Sequence, residues 1–453
     1  MLISEGLAEF TAEVEYGALP REVVRLAKER ILDTLGAAVA GEADWELKEP
    51  FLNACRGLGT GDCAVFGSGK REFPAARAAM INATFAHAAE LDDGHKNAGC
   101  HAGAVVVPAA LTLGRVLGAS GAEILTAVVL GYEVVYRIVA GMTPHQIRKG
   151  FHPSGNCDTF GAMAAAGRLM GLSAGQIANG LGFAGLSAAG LMEATISGQQ
   201  SKCVQVGNAA YNGIAAALYA REGMAGTVTV FEGKSGFFQA QSQDVDTGAV
   251  CRGLGEEYHI GDTYSKLYPT CRHSQPAIEG VLDLMEEYGF GYREVEAVRV
   301  GTHQVAMDLT GRITLPESVS EAKFSLAYGV ALALSQRGVG IGHLGPKYRQ
   351  DPAVRELAGR VHVEVDPEVQ ALYPARRGAR VQVELKDGRI FRKELYDLKG
   401  SPENPIGWKE LEQKFTVNLK GSRFEGHTRR LAEQIAEFEK LERIDELMGL
   451  LCR

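Results

Sequence analysis

Apolar residues recur at helical spacing from the first turns of the chain. Between residues 4 and 40, Leu7, Phe10 and Val14 form one stripe; after Pro20, Val23, Ala27, Ile31 and Leu35 form a second. The same period marks 71–90, 104–118 and 120–140. It predicts further helices at about 158–171, 174–190 and 206–222, the last closing at Gly223. Thr159 to Gly190 is mostly Ala, Gly, Ser, Leu and Met, a composition that lets helix axes approach closely. This first part of the chain reads as an all-helical domain with short connections.

The pattern changes after residue 262. Pro276 opens a helix with Ile278, Val281, Leu282 and Met285 on one face. Val295–Val300, Val361–Val365 and Val381–Leu385 then alternate at strand period. Lys386-Asp387-Gly388-Arg389 leads from the last of these into Ile390–Leu395, and its Asp-Gly pair marks a hairpin. From 402 the helical period returns, with Leu431, Ile435 and Phe438 on a common face. The expected fold is mainly α with an α+β second domain. Residues 1–262 and 402–453 build the large helical domain, and 263–401 the smaller one. The chain shows no internal repeat and no low-complexity segment.

Of the 453 residues, 46% are hydrophobic and 23% charged, the profile of a globular protein. A net charge of -8 without any Lys/Arg-rich run argues against nucleic-acid or anionic-membrane partners. It leaves an anionic small molecule open, because cations local to a pocket suffice to bind one. Met1-Leu2-Ile3-Ser4-Glu5 has no basic segment ahead of an apolar run, and no stretch reaches the roughly 18 apolar residues of a membrane span. A cytoplasmic location is expected. The eight cysteines (55, 63, 100, 157, 203, 251, 271 and 452) form no Cys-x-x-Cys pair, so free thiols are expected and not a metal finger or redox pair.

Candidate chemistry concentrates in four places. Gly150-Phe151-His152-Pro153-Ser154-Gly155 and Gln199-Gln200-Ser201-Lys202-Cys203 bracket the small-residue helices. Packed helices can hold a histidine and a lysine away from bulk water, where both become useful acids and bases. A loop imidazole and a solvated ammonium are the ordinary alternatives. Glu90-Leu91-Asp92-Asp93-Gly94-His95, with Cys100-His101, follows a helical run containing His87. It reads as an acid/base cluster or as a plain Asp-Asp-Gly loop. His95 and His101 lack the i, i+4 spacing of a helical metal pair. Tyr264 to His273, at the domain junction, gathers Lys266, Arg272 and His273 in a pocket wall or a polar linker. Two other motifs fail. Gly67-Ser68-Gly69-Lys70 is no phosphate loop, since Ala64 stands where the first Gly is needed and Arg71 replaces the Ser/Thr. Gly180 to Gly185 follows no strand, so it reads as helix packing and not as a dinucleotide site.

Taken in order, these segments resemble the MmgE/PrpD family, which includes 2-methylcitrate dehydratases, cis-aconitate decarboxylases and iminodisuccinate epimerases. The resemblance runs over nearly the whole chain. It takes in Ile31-Leu32-Asp33-Thr34-Leu35-Gly36, Asn82-Ala83-Thr84-Phe85-Ala86-His87, Gly131-Tyr132-Glu133-Val134 and the Gly-Phe-His-Pro segment. It continues through Lys202 ahead of Gly207-Asn208-Ala209-Ala210, Tyr268-Pro269-Thr270-Cys271, Lys323-Phe324-Ser325-Leu326 and Lys414-Phe415. It implies the two-domain architecture and a homodimer. By motif it implies a pocket holding Asp92 and Asp93 with His101, then His152, Lys202 and Lys266. His95, Arg272 and His273 are candidate substrate contacts, and Tyr328 falls where similar members have a pocket tyrosine. Two positions depart from the pattern. Several members have Asp-x-Asp-Asp-Thr where this chain has Glu90-Leu91-Asp92-Asp93-Gly94, and His101 is followed by Ala102-Gly103 instead of Pro-Ser. An Asp-Asp-Gly-His loop looks closer to epimerase-like members.

The resemblance implies movement of a proton on a carbon next to a carboxylate, with no metal or organic cofactor. Lys202 and Lys266 would hold carboxylates and the developing enolate-like charge. His101 and His152 would be acid and base, with Asp92 or Asp93 orienting an imidazole. The expected function is a lyase on a small di- or tricarboxylate, similar to 2-methylcitrate dehydratase. An isomerase of the iminodisuccinate type, a cis-aconitate decarboxylase-like enzyme and a non-catalytic helical binding protein are the alternatives.

Overall fold

Helix contacts at glycine decide much of this architecture in the computed structural model of the chain, which describes residues 1–67, 71–96, 98–142, 145–197 and 200–451. The principal helices before residue 222 are α1 (Ile3–Glu13), α2 (Arg21–Asp44), α3 (Ala75–Ala88), α4 (Ala102–Leu117), α5 (Gly121–Ala140), α6 (Pro153–Asn156), α7 (Asp158–Leu169), α8 (Ala174–Ser187) and α9 (Lys202–Arg221). Ser120 and Ser173 cap α5 and α8. Each hydroxyl accepts the amide three residues on, while Glu123 and Gln176 reach back to the capping amides. Gly118, at φ 71°, closes α4.

The elements depart from the periodic reading at three places. The helix expected over 71–90 begins at Ala75, after Pro74, because β2 (Arg71–Phe73) pairs with β1 (Cys63–Ala64). A second short ribbon joins β3 (Gly94–His95) to β4 (Thr263–Tyr264), so strands interrupt the expected all-helical stretch. Helix α9 starts at Lys202, earlier than the apolar period indicates.

The chain divides into two compact units. One comprises Met1–Glu193, Ser201–Ser265 and Ile406–Arg453; the other comprises Ala194–Gln200 and Lys266–Pro405. In the first unit, α3, α4, α7 and α9 pack on one another, and the C-terminal helix Trp408–Leu419 lies along α2. A Cβ on Gly41 of α2 would fall 2.0 Å from the Phe85 carbonyl oxygen in α3, and one on Gly161 of α7 would fall 2.7 Å from the Gly131 oxygen in α5. Such crossings need the side chain to be absent.

The second unit holds a four-stranded sheet, β5 (Val295–Thr302), β6 (Val361–Val365), β7 (Ala379–Leu385) and β8 (Ile390–Leu395), in the order β6-β5-β7-β8. The β5–β6 pair is parallel and the other two pairs are antiparallel. Burial alternates along β7 at period two, and the turn after it has Gly388 at φ 88°, as the Asp-Gly signal predicts. Helices Gln275–Tyr288 and Leu326–Gln336 share this unit's apolar core with the strands. Among the described residues no helix is long and apolar enough to cross a membrane, and seven cysteines are free thiols. Cys452 and Ser68-Gly69-Lys70 lie outside the described residues.

Gly41→Ala is expected to lower unfolding stability by about 1–3 kcal/mol, since α2 or α3 must move aside. An unchanged denaturant midpoint would mean the two helices do not cross at this point.

Candidate active site

Helix α3 carries His87 in its last turn, and the chain then reverses at Glu90, whose φ of 53° is unusual for a residue with a side chain. The reversal puts Asp92 back against the helix it has just left. His101 is the N-cap residue of α4, and His152 caps the short helix α6. The His101 amide donates to the Ser154 hydroxyl at 2.9 Å, tying the two histidine loops together. Lys202 opens α9, and its ammonium pairs with the Glu90 carboxylate.

Two imidazoles meet at one carboxylate, and a third lies beside them. Asp92 Oδ2 lies 2.6 Å from His87 Nδ1 and 3.2 Å from His101 Nδ1. The His87 ring centroid is 5.0 Å from that of His101 and 6.0 Å from that of His152. Asp92 and His87 are fully buried, and His152 is 4% exposed. Burial pushes the His87 imidazole down to about 4, with the Lys202 cation lowering it further and Asp92 opposing. His152 is held well below its usual value, first by burial and then by Lys202 and the neighbouring histidines. Both rings are therefore neutral near pH 7.

Hydrogen-bond partners fix where each ring carries its proton. His101 Nδ1 lies 2.5 Å from the Asp93 backbone carbonyl, which can only accept, so Nδ1 is protonated and Nε2 keeps a lone pair. His152 is the reverse. Its Nδ1 accepts the Gly155 amide at 3.2 Å, which leaves the proton on Nε2. His87 Nδ1 faces a carboxylate and carries its own proton.

The same bookkeeping bears on metal binding. Donor atoms of His87, Asp92 and His101 lie within 4.8 Å of one another, as do those of His95, His259 and Asp262. In the first group both Nδ1 protons are donated to oxygen, so an ion would have to displace them. In the second, His95 Nδ1 accepts the Ala98 amide at 3.1 Å, which protonates Nε2, the nitrogen 3.9 Å from Asp262. The ring nitrogens that face Asp92 in the first group, and His95 Nε2 in the second, carry protons, so a zinc-like ion beside those carboxylates would require a change of tautomer.

A charged layer supports the cluster. Asp93 turns its carboxylate away from the histidines to accept from the Tyr132 hydroxyl at 2.6 Å and the Gly103 amide at 3.2 Å. Burial raises it to about 6, against the pull of Arg30. Only its backbone carbonyl serves His101. A Cβ at Gly103 would meet the Tyr132 hydroxyl at 2.5 Å and an Asp93 oxygen at 2.7 Å, which accounts for glycine after Ala102. Lys414, from the C-terminal helix, pairs with Asp33 and donates to the Leu91 carbonyl at 2.8 Å. The loop between Glu90 and Asp92 is thereby pinned from the other end of the chain.

The structure thus brings Asp92, His101, His152 and Lys202 together with Glu90, and adds His87, which the sequence marked only as part of a helix. Its signal was position: one residue from a helix end and five residues before an aspartate. His95 does not join them; it lies against the Tyr136 ring at 4.3 Å and faces Asp262. The other four predicted residues belong to the second unit. Lys266 is buried there, and Arg272 donates to Gln275 at 2.8 Å. His273 lies 5.1 Å from the His303 ring, and burial holds it well below its usual value. Tyr328 packs its ring in the unit's core, and its hydroxyl donates to the His343 carbonyl at 2.9 Å.

A family model described as the MmgE/PrpD N-terminal domain matches residues 5–248, and one described as the MmgE/PrpD C-terminal domain matches 268–440. A cis-aconitate decarboxylase-like protein of Aspergillus oryzae is 26% identical over 468 residues, covering 98% of this chain and 93% of its own. The cis-aconitate decarboxylase of Aspergillus terreus is 25% identical over 470 residues, covering 98% and 92%. That of Homo sapiens is 26% identical over 455 residues, covering 92% and 87%.

His87 gives a pH signature to stability. Its folded-state value of about 4 lies below the ordinary 6.5, so the unfolded chain takes up the proton first as pH falls. The stability that the neutral ring confers is complete above 6.5 and drains away toward about 4. The margin of the wild type over His87→Asn should therefore shrink across that window in denaturant titrations. A margin independent of pH would contradict the burial of a neutral His87.

Proposed function

The chain belongs to the MmgE/PrpD family, and on that premise we propose that it is a lyase acting at a carbon next to a carboxylate of a small di- or tricarboxylate. The observation that carries this reading is the opposite placement of protons on two imidazoles beside His87. His101 offers a lone pair at Nε2, and His152 an N–H at Nε2.

Each has a distinct use. His101 Nε2 takes the proton from the carbon, and the resulting imidazolium is met by Asp92 on its far side. Negative charge spreads into the substrate carboxylate, where the Lys202 ammonium stabilises it. Glu90 holds that ammonium in place until a substrate carboxylate competes for it. The His152 N–H donates a hydrogen bond to the departing oxygen, and the proton held by His101 is passed to that oxygen, so water leaves and both rings end neutral. Loss of water needs a proton donor at the leaving oxygen, so this arrangement suits a hydro-lyase similar to 2-methylcitrate dehydratase. A second reading, decarboxylation, is favoured by the names of the relatives, which are cis-aconitate decarboxylases. It would use the same groups, with the bond to the departing carboxylate breaking to release carbon dioxide and a His101 imidazolium, protonated from solvent, delivering a proton to carbon.

Proton NMR in deuterated buffer, with a panel of hydroxy-, imino- and unsaturated di- and tricarboxylates, tests this. A hydroxy acid giving an olefin supports the hydro-lyase, and cis-aconitate losing carbon dioxide supports the decarboxylase. Solvent deuterium entering recovered substrate with inversion and no olefin would sink both in favour of an epimerase. His101→Asn is expected to lower kcat by on the order of 10²–10⁴-fold. Lys202→Met should raise KM as well.

A further inference from the structure

We infer that His87 is a positioning residue, which fixes Asp92 through a neutral N–H so that the carboxylate meets His101 with its charge intact. The inference rests on the acid/base reading of His101 given above. The two imidazoles share a single oxygen, and they do not share it equally. His87 Nδ1 lies 2.6 Å from Asp92 Oδ2, while His101 Nδ1 lies 3.2 Å away and has a nearer acceptor in the Asp93 carbonyl at 2.5 Å. Of the two imidazoles, His87 therefore makes the shorter bond to Asp92.

The kind of donor matters as much as its position. A lysine or arginine in this place would cancel the carboxylate's charge and leave less to stabilise an imidazolium at His101. An imidazole buried to the point of neutrality supplies direction without a counter-charge. The carboxylate is then already aimed when charge develops at His101, so no reorganisation is needed at the moment of proton transfer.

The far side of the ring points to the same role. His87 Nε2 is buried and has no hydrogen-bond partner. Leaving an acceptor unpaired costs about 1–3 kcal/mol, a penalty that an apolar side chain would avoid. What an apolar side chain lacks is the Nδ1 proton. The remaining neighbours of the ring, His101 and His152, pack against it edgewise or tilted and do not hold it.

Two amide variants separate this role from simple packing. In His87→Asn the amide nitrogen falls near the place of Nδ1, and in His87→Gln it falls near that of Nε2. The Gln variant should lose kcat by about 10–100-fold with KM changed far less, as expected for a misaimed group. Asn should recover most of that loss. Asp92→Asn should cost a similar factor, and combining it with His87→Gln should add little, because both act through one carboxylate. On ligand-free protein with 15N-labelled histidine, the His101 ring N–H resonance should move in His87→Gln and stay in His87→Asn. That measurement needs no substrate, so it stands even where the lyase reading fails. Equal behaviour of Asn and Gln in both kcat and the ring resonance, or full additivity with Asp92→Asn, would overturn the inference.

Discussion

A carboxylate with no exposure to solvent has to be paired, and Asp92 is paired through one oxygen with two imidazoles. Much of the first unit can be understood as the means of keeping that arrangement dry and in place. Glu90 turns the chain with a left-handed residue, Lys414 reaches in from the C-terminal helix to hold the Leu91 carbonyl, and the Asp93 carbonyl takes the His101 proton. Each contact acts on a different bond of the same short loop. Because a buried ion pair loses its balance when one partner goes, these contacts make the loop rigid more than they make the protein stable.

Dryness comes from the helices. Glycine at the crossings of α2 with α3 and of α5 with α7 lets backbones touch, and His87 and His152 are buried within this packing. The same desolvation lowers the proton affinity of His87 and His152. Packing density and acid/base character are thus one property seen at two scales. The charged layer of Arg30, Asp33, Lys414 and Asp93 sits one shell further out, where each charge finds a counterpart.

The fold was legible from the sequence to the extent that it is periodic. Helical stripes, the small-residue run and the Asp387-Gly388 hairpin are local signals, and the elements appear where these signals lie. Short ribbons such as Gly94–His95 with Thr263–Tyr264 are set by a partner far away in sequence and leave no period to read. The candidate site divides in the same way. His101, His152 and Lys202 stand in segments whose order is distinctive, so their association with Asp92 could be expected. The difference between Asp92 and Asp93 could not, because adjacent aspartates look alike until Tyr132 and Gly103 claim one carboxylate. Likewise, the bond from the Tyr328 hydroxyl to the His343 carbonyl joins residues 15 apart and has no periodic signal.

Gly94 couples two positions far apart in the chain. A Cβ there would lie 2.4 Å from the hydroxyl of Tyr264, on the opposing strand. A side chain here and the phenol in its present place exclude each other, so enlarging residue 94 requires Tyr264 to swing aside or shrink. The two positions are sterically tied, although 170 positions separate them along the chain.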